Sequence, residues 1–270
     1  MARKLRFMFR GCVLLAASVL VCTTALAAPY VDTLPDGTIN VGAAFKYTVF
    51  TLGGDVNVDN TVSLGDIYGN VGVGGNGSMT MTNGTVHGNV YHHSGGNVKV
   101  QGPAKVTGSI TTDDASLDQA SADAISLSAQ LAAEPVTPAY AGITSVTSGS
   151  NYTITGGPNQ KVVLSLQNFT IQGSDTFTLQ GTATTSFIIN ISGQFSMGRS
   201  AAINLVNVPT KNVVFNITGT GANVGMTGGT TFRGVFLAPK RKASFSLGTV
   251  YGKIIANAVT LSSGGQIVSQ

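Results

Sequence analysis

Two hundred and seventy residues with 35 glycines, no tryptophan and only 10% charged side chains describe neither a disordered polyampholyte nor a nucleic-acid binder built on basic patches. The formal charge of +4 overstates the basicity, because four of the fifteen Lys and Arg (Arg3, Lys4, Arg6 and Arg10) crowd the first ten positions. An apolar run from Cys12 to Val21 and a small-residue stretch ending Ala25-Leu26-Ala27 follow, the order of a secretory signal peptide over residues 1–27.

Its removal leaves 11 bases against 11 acids, and takes away both cysteines, Cys12 and Cys22. The exported chain then has no disulfide, so burial and backbone hydrogen bonds must hold it. No apolar run long enough to span a bilayer follows Ala28. The reading is of a secreted or cell-surface protein, with residues 28–40 as a leader and 41–270 as one domain.

From residue 41 the texture is short apolar/polar alternation broken by Gly and Asn, as in Met79-Thr80-Met81-Thr82. Such runs predict many half-buried strands with Thr and Ser on the outer side. Ile67-Tyr68-Gly69-Asn70-Val71, Val86-His87-Gly88-Asn89-Val90 and Val106-Thr107-Gly108-Ser109-Ile110 repeat one form, with glycines 19 and 20 residues apart. Phe232-Arg233-Gly234-Val235-Phe236 and Val250-Tyr251-Gly252-Lys253-Ile254 repeat it downstream. A period near 20 with strands and Gly/Asn corners suits one coil of a solenoid, which buries its apolar side only against its neighbours. A β-sandwich with evenly spaced hairpins is the alternative.

One segment departs from this pattern. Leu117, Ala120, Ala124, Leu127 and Leu131 step by 3 and 4, which predicts a helix over about 116–133. Ser116 and Gln119 suit a capping box and Pro135 a stop. The predicted architecture is mainly β: a right-handed β-solenoid (β-helix) of short strands with one α-helix packed alongside, between two groups of coils.

The stretch Phe45-Lys46-Tyr47-Thr48-Val49-Phe50-Thr51-Leu52-Gly53-Gly54-Asp55, the Gly-Asn-Val repeats, and Phe232-Arg233-Gly234-Val235-Phe236-Leu237-Ala238-Pro239 together resemble the choice-of-anchor A family of bacterial secreted or surface adhesive domains. The likeness runs over about residues 41–265. More distantly, the order coils, helix, coils resembles the ice-binding-protein-like domain, which implies a solenoid with a helix along it. The chain departs from the family at its end, Ser269-Gln270, where no sorting motif appears. It departs again at Lys240-Arg241-Lys242, where a neutral turn is usual.

Candidate chemistry is sparse. His92 and His93 point to opposite sides of an extended strand and lack partners at ligand spacing, so no metal or other cofactor is expected. Asp55, Asp59 and Asp66 read as turn residues without a calcium-loop pattern. Asp175 is the sole acid after Glu134, leaving no evident carboxylate pair for glycoside hydrolysis. No catalytic residue is assigned, and a polysaccharide-active enzyme ranks third.

A ligand surface is expected from Thr80, Thr82, Thr153, Thr155, Thr176, Thr178, Ser244 and Ser246, hydroxyls that would align as ladders if their strands stack. Lys240, Arg241 and Lys242 would add a cationic turn attracting anionic polysaccharide. The partner expected is an extracellular polysaccharide or matrix surface, with ice as the alternative and no nucleic acid. Residues 28–135 carry ten acids and three bases, residues 136–270 one acid and eight bases. That opposition allows either head-to-tail self-association or pairing within one molecule.

Overall fold

A computed structural model describes residues 36–59, 65–221 and 224–270; the expected signal peptide and most of the expected leader lie outside them. Almost every strand pairs in parallel with the strand one turn away, so the chain winds into a β-solenoid with three faces. Each coil contributes one short segment to each face. Ser145–Val146, Tyr152–Thr155 and Lys161–Leu166 begin the stack, and each has its successor directly above it.

Coil length differs between the two ends. Val71 pairs with Val90, nineteen residues on, as the glycine repeat predicts, whereas Phe177 pairs with Ile203, twenty-six residues on. The wider coils hold larger side chains. Phe169, Phe177, Phe195, Phe215, Phe232 and Phe236 form a buried column of edge-on and stacked rings, while Val71, Met79, Val86 and Val90 fill the narrower end.

All five repeat motifs occupy the same corner of the stack. Gly234 pairs with Gly252, and Gly69, Gly234 and Gly252 have φ of 135°, 134° and 141°. A side chain at Gly252 would collide with the Gly234 carbonyl of the coil beneath. The motif is thus the signature of a corner at which backbone meets backbone.

Spatial order departs from chain order. The C-terminal coils climb to Thr249–Ser262 and Gln266–Val268, and the N-terminal coils continue from there. Val49–Thr51 lies between Thr249–Ser262 and Val71–Val73, and Gln266–Val268 pairs with Asp66–Tyr68. The coil at this seam is composite, built from both ends of the domain. Packing begins ahead of residue 41, since Thr38 and Ile39 are buried and the Ile39 amide donates to the Lys211 carbonyl.

The helix, Asp114–Ala133, returns the chain from the top of the stack to the bottom. Twenty residues at about 1.5 Å each match roughly six coils at about 4.8 Å. Its Leu117, Ala120, Ala124, Leu127 and Leu131 are fully buried, as the periodicity predicts. The cap differs: Asp113, not Ser116, is the N-cap, and its carboxylate accepts from the Ser116 amide. Gln119 instead bonds Asp123. An aspartate one residue before the first turn outcompetes the hydroxyl because its charge also meets the positive end of the helix dipole.

The face beneath the helix is buried on both sides. Its outward residues Val163, Ile188, Val214, Leu237, Ile255 and Phe50 are sealed, and two asparagines stand among them. Asn216 donates to the Ser128 carbonyl (2.9 Å) and to Asn190 Oδ1 (2.8 Å), and accepts from the Ser128 hydroxyl (2.6 Å). Asn190 donates to the Leu131 carbonyl at 2.7 Å. This latch fixes the helix in register on the coils. Asn216→Ala would leave the Ser128 and Asn190 acceptors buried without a donor, and should lower unfolding stability by about 3 kcal/mol in a denaturant titration; a cost below about 1 kcal/mol would contradict the latch.

Candidate functional site

With one face under the helix, two remain for a ligand. The first carries a line of positions, one per coil, whose register runs Thr170, Ser196, Gly225, Ser244, Thr260, Asn57, Thr80 and Lys99. The strands alternate, so Phe169, Met197, Phe245, Leu261 and Met79 point inward while Thr170, Ser196, Ser244 and Thr80 stay half-buried at the surface; Thr260 shares their register, but its hydroxyl oxygen is buried without a hydrogen-bond partner. Ser246 and Ser262 form a second, parallel column beside it. Gly225 keeps the face flat, because any side chain there would strike the Ser244 backbone.

The eight hydroxyl residues singled out in the sequence therefore divide. Thr80, Ser244 and Ser246 lie on this hydroxyl face, and Thr82 follows its strand Ser78–Met81. Thr153, Thr155, Thr176 and Thr178 lie on the other free face, in Tyr152–Thr155 and Thr176–Gln180. Thr153 stands over Thr178 there, but the Thr176 hydroxyl is committed to Asn151 Oδ1 of the previous coil. Thr170, Ser196 and Thr260 complete the first column and were missed. They sit in runs no different in pattern from their neighbours; only the coil register puts them in line.

The Lys240-Arg241-Lys242 turn expected from the sequence is corrected. These residues lie within one continuous strand, Thr231–Ser246, where its register shifts between Ala238 and Lys242 as it bends from the helix-covered face to the hydroxyl face. Lys240 is exposed and Lys242 half-buried. Arg241 is buried, and one of its guanidinium nitrogens donates to the Gly193 carbonyl. Burial pulls its pKa down. It braces a corner, so the cationic patch is two lysines on different sides of a bend.

Carboxylates serve the coils in the same manner. Asp55 accepts from the Ser78 amide, Asp66 from the Thr85 amide and Asp175 from the Gly149 and Gln172 amides. Asp114 accepts from the Ser94 amide and hydroxyl, which with the adjacent histidines His92 and His93 holds its carboxyl below the usual range. His93 lies 3.8 Å from Asp114 and 3.7 Å from Asp118, and His87 3.7 Å from Asp66. Among the described residues no three His, Cys, Asp or Glu stand close enough to hold a metal, and no helix is long and apolar enough to cross a membrane. The opposed charges of the two halves meet within the molecule at Lys161–Glu134 (2.6 Å) and Lys211–Asp36 (2.8 Å).

This geometry, a three-faced parallel solenoid with a helix along one face, is shared with known proteins. A family model described as "Putative Ice-binding-like adhesive domain" matches residues 34–268, and the chain belongs to this family. Among solved structures, a glycosylated ice-binding protein (LeIBP) from Arctic yeast superposes with a TM-score of 0.60 at 19% identity, covering 86% of this chain and 94% of that one. The ice-binding protein of the Antarctic ascomycete Antarctomyces psychrotrophicus gives 0.54 at 18%, over 86% and 98%. The DUF3494 domain of a Shewanella frigidimarina ice-binding protein gives 0.52 at 16%, over 89% and 100%. No curated protein matches the chain.

A second buried cation lies at the seam. Lys253, 6% exposed, donates to the carbonyls of Phe45 (2.9 Å) and Tyr47 (3.2 Å) and sits 4.5 Å from the centre of the Phe45 ring. Desolvation lowers its pKa to about 8. The unfolded chain keeps this proton to about 10.5, so between pH 8 and 10.5 it binds more protons than the folded chain, and stability rises with pH. Wild type should therefore gain on the order of 2–3 kcal/mol over Lys253→Met between pH 7 and pH 10.5. Tyr47, raised to about 12 chiefly by burial, is common to both chains and cancels. A pH-independent difference between the two denaturation curves would refute the assignment.

Proposed function

We propose that the protein is a non-enzymatic adhesive module working outside the cell, which docks its hydroxyl face onto a repetitive polysaccharide or matrix surface. The observation that carries this reading is the register that lines up the short hydroxyl side chains of Thr170, Ser196, Ser244 and Thr80, with Gly225, Thr260 and Asn57 at the intervening positions, on a face the helix leaves free. The coils stack at about 4.8 Å, so the hydroxyls of Thr170 and Ser196 stand one coil apart, that of Ser244 two coils further and that of Thr80 three beyond it, on strands paired above and below. Side chains this short lose little entropy when they are covered. Membership of an adhesive-domain family and an expected export signal support the same reading.

A second reading, ice binding through this face, is favoured by the three solved structures named above, each an ice-binding protein or a domain of one. Against it, the column is interrupted by Gly225 and ends on Lys99, so its repeat is shorter than a crystalline surface would reward.

Replacing Ser196, Ser244 and Thr80, half-buried on this face, together by Tyr roughens the face without touching the interior. Sedimentation with insoluble cellulose, chitin and peptidoglycan should retain the wild-type protein on at least one polymer. The triple variant should lose that retention at least tenfold, with an unchanged thermal midpoint. Inhibition of ice recrystallisation by the wild type alone, without polymer retention, would move the assignment to the second reading. Absence of both activities would sink the hydroxyl face as a docking surface.

A further inference from the structure

The third face carries a different feature. Where Ala202–Val206 turns into the loop ahead of Val213–Ile217, a groove of about 800 Å³ opens beside Arg233, Asn204, Thr178, Thr210 and Val206. That volume lies in the range of small-ligand sites. We infer that this groove binds a carboxylate-bearing saccharide, with Arg233 as the anion-recognising residue. The inference stands apart from the hydroxyl face, which lies on another side of the solenoid.

Arg233 carries the argument. It shares a register position with Tyr251 of the next coil, and its guanidinium carbon lies 4.3 Å from the centre of the Tyr251 ring. Stacking of this kind holds the guanidinium plane while leaving its N–H fork free to meet a carboxylate with two parallel hydrogen bonds. No carboxylate among the described residues takes up that fork. Lys211, also at the groove, is already neutralised by Asp36 at 2.8 Å, so Arg233 is the uncompensated charge. It lies in the half of the chain with one acid and eight bases.

The remainder of the lining matches a sugar ring better than a bare anion. Asn204 is exposed, Thr178 half-buried beside it, and Thr210 bonded to Gln270 at 2.8 Å, so amide and hydroxyl groups face the opening. Val206, 40% exposed, and Pro209 supply an apolar wall. A pyranose presents hydroxyls at its edge and C–H groups on its face, and a uronic acid adds the carboxylate for Arg233.

Calorimetric titration of the whole exported chain with oligogalacturonate, its methyl ester, poly-glutamate and inorganic phosphate separates the outcomes. Oligogalacturonate should bind, and the methyl ester at least tenfold more weakly. Arg233→Gln should weaken binding at least tenfold and Arg233→Lys by less, since a lysine restores charge without the fork. Asn204→Leu, an exposed change with no burden on folding, should weaken it several-fold. Unfolding midpoints report whether the variants remain folded. The Ser196, Ser244 and Thr80 tyrosine variant should bind as wild type, which keeps this result distinct from that of the docking face. No binding of oligogalacturonate, equal binding of the methyl ester, equal binding of poly-glutamate or phosphate, or indifference to both Arg233→Gln and Asn204→Leu would each overturn the inference.

Discussion

Every strand between the two end coils sends its backbone hydrogen bonds to the coil above and the coil below, and the molecule follows from that constraint. A parallel ladder needs a partner on both sides of each rung, and the chain meets the need in an order unlike its own sequence. The C-terminal coils climb to a seam at which Val49–Thr51 takes the place of the next strand. From that seam the N-terminal coils continue upward. The helix is the consequence: the chain must return from one end of the stack to the other, and about 30 Å of helix spans that distance while covering a face that is apolar on both sides.

Polar groups are placed to serve this stacking before anything else. Asp55, Asp66, Asn70, Asn89 and Asn168 each accept a backbone N–H from the following coil, so residues that resemble ligands in the sequence are stitches between turns. Asn190 and Asn216 perform the same task under the helix, at greater depth. Arg241 and Lys253 are cations spent on buried carbonyls at corners and seam. The short hydroxyls of one face and Arg233 at the groove of another are among the groups that escape this duty. The three faces thereby differ: one is closed by the helix, one carries the hydroxyl line, and one carries the groove beside Arg233.

The glycine repeats were legible from spacing because a corner at which backbone crosses backbone tolerates no side chain, and that demand recurs once per coil. The helix was legible because Leu117, Ala120, Ala124, Leu127 and Leu131 keep a 3.6-residue period that no strand would keep. Its cap was misplaced by one turn element, since Asp113 and Ser116 both satisfy the local pattern. The hydroxyl surface was legible only as a composition. Alternation tells which side of a strand a threonine occupies but not which face of the solenoid that strand joins, so Thr80 and Thr153 looked equivalent and are not. Arg241, read as an exposed cation, is buried because the strand bends there.

The sequence by itself determined that the chain is a repetitive β protein with one helix, corners at Gly69, Gly88, Gly108, Gly234 and Gly252, and very few groups suited to catalysis. These are local properties, written in the period and in the residue types of each segment. Only the tertiary structure decided the composite coil at the seam, the register that places Thr170, Ser196, Ser244, Thr260 and Thr80 in one line, and the stacking of Arg233 on Tyr251. Each depends on which strand lies above which, and in a parallel solenoid that is set by hydrogen bonds between residues 16 to 29 positions apart and, at the seam, about 200 apart.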